Sequence, residues 1–434
     1  MQALSSKPSQ LSCPRAQAQR GFVAMFLIIL AAIVAVTAIT KRVWGNADPV
    51  TTGRLETQNA MRLAKEALLV YVATHGRLPC PADVRTNNYS PTNEGTIDTT
   101  NCGGTGVSAI GLVPWKGLGL EAVKDSSNVC LWYAVSGNLK VGIAGAKRHP
   151  INADSDGAFQ VRDATGALLA GNLVDTKNNA AAIIFAPNSP LTTGGITQDR
   201  SPPNNPTRTV CVLPRGNSNN QVAQQYLDST AATIGGNPAA TDNWNVPNTA
   251  LNAAPVTVKT FIQGYVNGSF PLSDLNDQLA WITAEEFAKA STQYAAKTAA
   301  TALTYFYQNT SVVPQYGQGI AMYPSAAATA GGACASNSTS GFLPISCAQT
   351  SAWNTYYTSG YNGDTSLPDL LQPSTGDNWG SKINYRVSSK CLSPSLNCSG
   401  AGSFLNYGSV SNLQAVITVT GRTGTTFTAT SYTK

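Results

Sequence analysis

Three blocks of sequence occur twice in the same order, and a chain that repeats itself in this way is constrained to build the same local structure twice. Residues 302–314 align without gaps on 67–79, Gly341–Pro344 on Gly111–Pro114, and Asp377–Ser388 on Asp125–Ser136. Two copies are too few for a solenoid, whose repeats are buried by neighbours on both sides. The expectation is therefore two modules, 57–282 and 283–434, against the competing explanation of chance likeness between two helix-turn-strand units. Helical spacing runs through Thr57–His75, with Ala60, Ala64, Ala67, Leu68 and Tyr71 on one face and Gly76 as the stop. In the second copy Thr283-Ala-Glu-Glu286 has the pattern of a capping box, where hydroxyl and carboxylate satisfy exposed amides reciprocally. The tail alternates over Leu413–Val419 and Thr425–Thr430 around Gly421-Arg-Thr-Gly424, as two closing strands would.

Ahead of these modules a polar leader, 1–21, carries Lys7, Arg15 and Arg20 without an acid, and gives way to nineteen uncharged residues, Phe22–Thr40, closed by Lys41-Arg42. That length suits a membrane-crossing helix, and the basic leader predicts a cytoplasmic start. The expected organisation is a transmembrane or assembly helix at 22–44 and a hinge at 45–56, where Gly45, Asp48-Pro49 and Gly53 interrupt helix. The localisation that follows is a single pass through the inner membrane with a periplasmic head, then an extracellular filament or the cell surface.

Charged residues make up only 12% of the chain and the formal charge is +6; without the three leader cations and Lys41-Arg42 it falls to about +1, which excludes a basic stripe for nucleic acid. Of nine cysteines, Cys13 lies in the leader. The other eight, Cys80, Cys102, Cys130, Cys211, Cys334, Cys347, Cys391 and Cys398, form an even set suited to an oxidising compartment. Connectivity is not fixed by sequence. Short loops favour Cys391 with Cys398 and Cys334 with Cys347, leaving Cys80 with Cys102 and Cys130 with Cys211.

The junction Arg20-Gly21-Phe22 resembles that of type IV prepilins and type II secretion pseudopilins, in which a peptidase cuts after Gly and the new terminal Phe is methylated. An uncleaved signal anchor is the alternative. The family carries Glu at the fifth mature position, where this chain has Phe26; a subunit without that acid cannot neutralise a preceding neighbour's ammonium, which favours a tip or initiating minor subunit. Gly76-Arg-Leu-Pro-Cys-Pro-Ala-Asp83, Gly111-Leu-Val-Pro-Trp115 and the Tyr133-Ala-Val135 strand resemble, in that order, large pilin-like proteins of Gram-negative bacteria. So do Ala180–Pro187 as a buried strand, Gln198-Asp-Arg200, Gln225-Tyr-Leu227 and Asn276–Thr283. The family's Trp-Gly is missing at Ser127-Asn128 but present at Trp379-Gly380. The resemblance implies an α+β fold: a long N-terminal membrane-spanning helix with a pilin-like helix plus antiparallel sheet head, in two tandem pilin-like modules. The partners implied are other pilin or pseudopilin subunits, the prepilin peptidase and the inner membrane.

Only His75 and His149 supply imidazole, and no nucleophile elbow, zinc motif or phosphate loop is present, so a non-enzymatic role is expected. One constellation points to a metal. Asn152, Asp154, Asp156 and Asp163, with Gly157 at the sixth position, echo the spacing of a calcium loop, in which several hard oxygens sit on tightly curved backbone. The alternative is an Asp-Gly turn entering the strand at Phe159. The functional expectation is a minor pilin or pseudopilin acting in assembly or at the tip of a type IV pilus or type II secretion filament; the alternative is a surface adhesin or receptor with a pilin-like anchor.

Overall fold

Helix begins earlier than the spacing predicts: α1 spans Pro49–His75. The computed structural model describes residues 49–85, 92–99, 102–103, 106–140, 151–171, 178–193, 196–200, 210–211, 218–230, 242–246, 258–310, 323–330, 332–335, 338–344, 370–371, 379–392, 405–407, 410–422 and 426–431. The chain divides into two compact units, 1–55 and 56–434; of the first, only the opening turns of α1 are described. The expected hinge at 45–56 is thus corrected over 49–56, which is helical. Proline at a helix start sacrifices an amide that has no intrahelical acceptor, and an interior glycine costs only about 1 kcal/mol relative to alanine. The leader and the apolar segment 22–44, with Gly21, Phe22 and Phe26, lie outside the described residues.

The buried stripe of α1 is Thr57, Met61, Ala64, Leu68 and Val72, each three or four positions from the last, so the stripe keeps to one face. Ala60, Ala67 and Tyr71, expected on that face, are its half-buried flanks. The strands of the first half are β1 (Ala109–Leu112), β2 (Trp132–Val135), β3 (Phe159–Asp163), β4 (Leu168–Ala170), β5 (Ala180–Ala186), β6 (Thr192–Thr193), β7 (Ile196–Thr197), β8 (Lys259–Gln263) and β9 (Gln278–Thr283). A short helix, α2 (Asn219–Ala223), precedes β8. β1, β2, β5 and β9 pair antiparallel in that order, and β6 and β7 form a separate hairpin.

Every residue of β2 and β5 is buried because both faces of the sheet are covered. On one face α1 packs against Tyr133, Val135, Ala182, Ile184 and Ile282. On the other, Trp132, Ile183 and Phe185 meet Phe159, Phe261, Val222 and Tyr226. Phe261 makes edge contacts with both Phe159 and Phe185, ring centroids 5.1 Å apart in each pair. β3 reaches β5 only at Phe159 opposite Ala180, then pairs antiparallel with β4 and parallel with β8.

The second half carries α3 (Ala284–Thr310), β10 (Ser340–Phe342), β11 (Ile383–Val387), β12 (Leu405–Tyr407), β13 (Val410–Leu413), β14 (Ala415–Thr420) and β15 (Thr426–Ser431). The capping box forms: the Glu286 amide donates to Thr283 Oγ1 at 3.1 Å, and the Thr283 amide donates to Glu286 Oε2 at 2.9 Å. β10, β11, β14 and β15 pair antiparallel in the order of β1, β2, β5 and β9, while β12 and β13 form a two-stranded ribbon.

The correspondence extends to single atoms. Gly111 pairs with Tyr133, and Gly341 with Tyr385. A side chain on either glycine would lie 2.3 Å from a carbonyl oxygen, of Ala82 in one copy and Ala327 in the other. The buried Tyr133 hydroxyl donates to the Pro79 carbonyl at 3.2 Å, and that of Tyr385 to the Pro324 carbonyl at 2.9 Å. The sequence alignment had matched Pro79 to Pro314, which lies outside the described residues; the carbonyl that takes its place belongs to Pro324. Where the family has Trp-Gly, Asn128 adopts φ 62° in the first copy, a left-handed conformation that asparagine tolerates better than most residues, and Trp379 is fully buried in the second.

Two expectations require correction. The body is mixed α/β and mostly sheet, with three α-helices among the described residues, rather than an α+β head behind a membrane-spanning helix. What repeats is a helix with a four-strand path; the first half adds a layer containing the parallel β3–β8 pair, so its sheet is not purely antiparallel as expected. No helix among the described residues is long and apolar enough to cross a membrane. α1 and α3 have the length, but Arg62, Lys65 and Glu66 on one, and Glu285, Glu286 and Lys289 on the other, make them amphipathic helices that pack on sheets. The single-pass inner-membrane localisation is corrected on that finding.

Candidate functional site

The predicted calcium loop is a strap between the two halves. Ile151 lies in the core beneath α1, while Ala153, two residues on, is fully buried in the core beneath α3. Ser291 of α3 donates its hydroxyl to the Ile151 carbonyl. Asn152 Oδ1 accepts from the Asp154 amide at 3.0 Å, closing a turn. Asp154 is paired with Lys382, and Asp156 with Arg422, which also donates to the Ser155 carbonyl at 2.9 Å. Asp163 sits apart and closes its own turn, accepting from the Thr165 amide, the Thr165 hydroxyl and the Ala167 amide at 2.9, 2.7 and 2.9 Å. Against the upward push of burial, these bonds hold its carboxyl below the ordinary aspartate value. One side-chain oxygen of each of the four residues is thus engaged in a turn or by a cation from the second half. No group of three or more potential metal ligands of the His, Cys, Asp or Glu type occurs among the described residues.

Two bridges lie wholly among the described residues, Cys80–Cys102 and Cys130–Cys211, with Cα separations of 5.8 and 5.7 Å. The first anchors the Pro79-Cys-Pro-Ala82 segment, whose Ala82 bridges Leu112 of β1. The second ties the start of β2 to the chain that covers the outer face of the sheet. Cys334 and Cys391 are also disulfide-bonded; the partners expected for them, Cys347 and Cys398, lie outside the described residues.

Three of the family-like stretches, at Gln198-Asp-Arg200, Gln225-Tyr-Leu227 and Asn276-Asp277, converge in one buried polar network. Asp228 and Asp277 are both 0% exposed. Asp228 Oδ2 accepts from the Asn276 and Asp277 amides, and Oδ1 from Gln198 Nε2 at 2.9 Å. Asp277 Oδ2 accepts from the Asp228 amide and from Asn243 Nδ2, both at 2.8 Å, whereas its Oδ1 is buried with no hydrogen-bond partner. Arg200 closes the network, donating to Gln198 Oε1 and to the carbonyls of Asn188, Gln225 and Tyr226, with its guanidinium over the Tyr226 ring. Burial raises the Asp228 carboxyl to about 6, against the pull of its amide donors and Arg200. Burial, reinforced by the Asp228 charge, pushes Asp277 well above the usual carboxylate range. The pair can hold a proton, but neither carboxylate faces solvent, where a substrate would have to sit.

Lys382, Arg422 and the Asp228/Asp277 pair were not read as site residues from sequence. The first two meet their acids from more than 220 positions away. Asp277 lay inside one family-like stretch and Asp228 directly after another, but nothing local marks an aspartate as buried. His75 stacks on Tyr71 at the end of α1, ring centroids 3.9 Å apart; His149 lies outside the described residues. Comparison of the chain with protein-family models, curated proteins and solved structures gave no match.

Proposed function

We propose that the chain is a non-enzymatic minor pilin or pseudopilin, acting in assembly or at the tip of a type IV pilus or type II secretion filament with other pilin-type subunits as partners. The observation that carries this reading is the recurrence, in both halves, of a helix, a proline carbonyl and a Gly–Tyr strand pair held in one arrangement, with the family-like motifs of the first half in their family-like order. Phe26 in place of the usual Glu supports the tip rather than the shaft. A head of this size is also too bulky to repeat along a thin fibre. The adhesin or receptor reading is favoured by one observation, the polar face of the second sheet that lines a cavity.

The test is the start of the mature chain. Mass spectrometry of the protein from its native cell should find N-methylated Phe22 at the terminus, and Gly21→Val should leave the leader attached. A chain that begins at Met1 or beyond Ala38 would sink the reading.

A further inference from the structure

The two copies differ most on the sheet face turned away from the helix. In the first copy the inner positions of this face are Trp132, Ala134, Ile183 and Phe185, all buried under the β3–β8 layer and α2. Register places Asn384, Arg386, Val416 and Thr418 at the same four positions of the second copy. There no described layer covers them. Instead the face floors a cavity of about 540 Å³ whose lining includes Ser340, Asn384, Arg386, Thr418, Thr420 and Tyr407, the last projecting from the β12–β13 ribbon.

Val416 on this face is buried, Thr418 is half-buried, and Asn384 and Arg386 are exposed; exposed polar residues on a sheet need no further explanation than solvation. Three features go beyond it. The face is walled into a concave site by a separate ribbon, and its volume falls within the roughly 300–1,000 Å³ of small-molecule pockets. Among the described residues none of the six side chains named makes a hydrogen bond or ion pair, so an amide, three aliphatic hydroxyls, a phenol and a guanidinium all remain unspent. Among the described residues the lining holds one cation and no acid.

We infer that this face binds a carboxylate-bearing saccharide. The planar guanidinium of Arg386 presents paired N–H donors that match a carboxylate in bidentate fashion. Asn384, Ser340, Thr418 and Thr420 each both donate and accept, as sugar hydroxyls require. Tyr407 offers an aromatic face to the apolar side of a pyranose ring and a hydroxyl at its rim. A lone arginine suits the single charge of a carboxylate, where a multiply charged phosphate group would call for a cluster of cations. The inference stands on the cavity alone and does not require the filament reading.

The experiment is a titration of the intact chain with D-glucuronate, with methyl glucoside, inorganic phosphate and an acidic peptide alongside, followed by calorimetry or NMR. Saturable glucuronate binding is expected, at least tenfold tighter than that of the glucoside. Arg386→Gln should abolish that preference, and Tyr407→Ala should weaken glucuronate and glucoside binding together by about tenfold. Both side chains are exposed, and unchanged thermal unfolding of the variants separates a binding loss from a folding one. Absence of saturable glucuronate binding, an unchanged preference in Arg386→Gln, or tighter binding of phosphate or peptide would overturn the assignment.

Discussion

Removing the Cys130–Cys211 bridge by paired alanine substitution is expected to cost about 4–5 kcal/mol, because the cross-link spans 81 residues and its loss returns the closure entropy of a long loop to the unfolded chain. For a chain of this size the loss corresponds to a fall in Tm of roughly 5 °C. The Cys80–Cys102 bridge spans 22 residues, and its removal should cost less, about 3 kcal/mol. Calorimetry of the two double variants checks the order. Equal stabilities with and without reductant, or a larger loss for the shorter loop, would contradict the role of Cys130–Cys211 as the clamp that holds the covering layer on the first sheet.

The second large effect is a stability that falls as pH rises. A carboxyl whose pKa is higher in the folded chain than in the unfolded one binds its proton more tightly when folded, so its contribution is fully present below the unfolded value of about 3.8 and is lost as pH climbs through the folded value. For Asp228 the window runs from about 3.8 to about 6, and Asp277 extends it upward. A shift of that size corresponds to on the order of 3 kcal/mol. Asp163 acts in the opposite sense, but its loss falls below pH 4, outside this window. Denaturant unfolding at pH 5 and pH 7.5 should therefore find the chain more stable at pH 5. Asp277→Asn removes the charge that meets Asp228 and the oxygen that lacks a donor, so it should raise stability at pH 7.5 and flatten the slope. A wild-type chain that gains stability over this interval, with a slope unaltered by Asp277→Asn, would refute the account of the buried pair.

Much of the local structure was legible in the residues. Thr283 and Glu286 form the reciprocal cap because a hydroxyl and a carboxylate three residues apart can reach each other's amides in only one local geometry. The apolar run at Ala180–Ala186 is a strand buried on both faces, and the alternating tail pairs as β14 and β15. Pairings set by distant chain were not legible. Phe159–Asp163 takes Lys259–Gln263 as a parallel neighbour 100 positions away, which no periodicity announces. Asp154 and Asp156 carry the spacing of a cation loop, and the cations they meet are Lys382 and Arg422. A local pattern specified the need for positive charge and left its source to the tertiary fold. The same limit explains α1: the breaker residues Pro49 and Gly53 are harmless where they fall, at the helix start, and only the position of that start was in question.

The central functional claim, a minor subunit at the end of a filament, is tested most directly by immunogold labelling with antibodies against the head on filaments from the native cell. The account predicts label at one end of each filament, with fewer filaments and unchanged shafts when the protein is deleted. Label spaced regularly along the shaft, or no association with filaments at all, would contradict it.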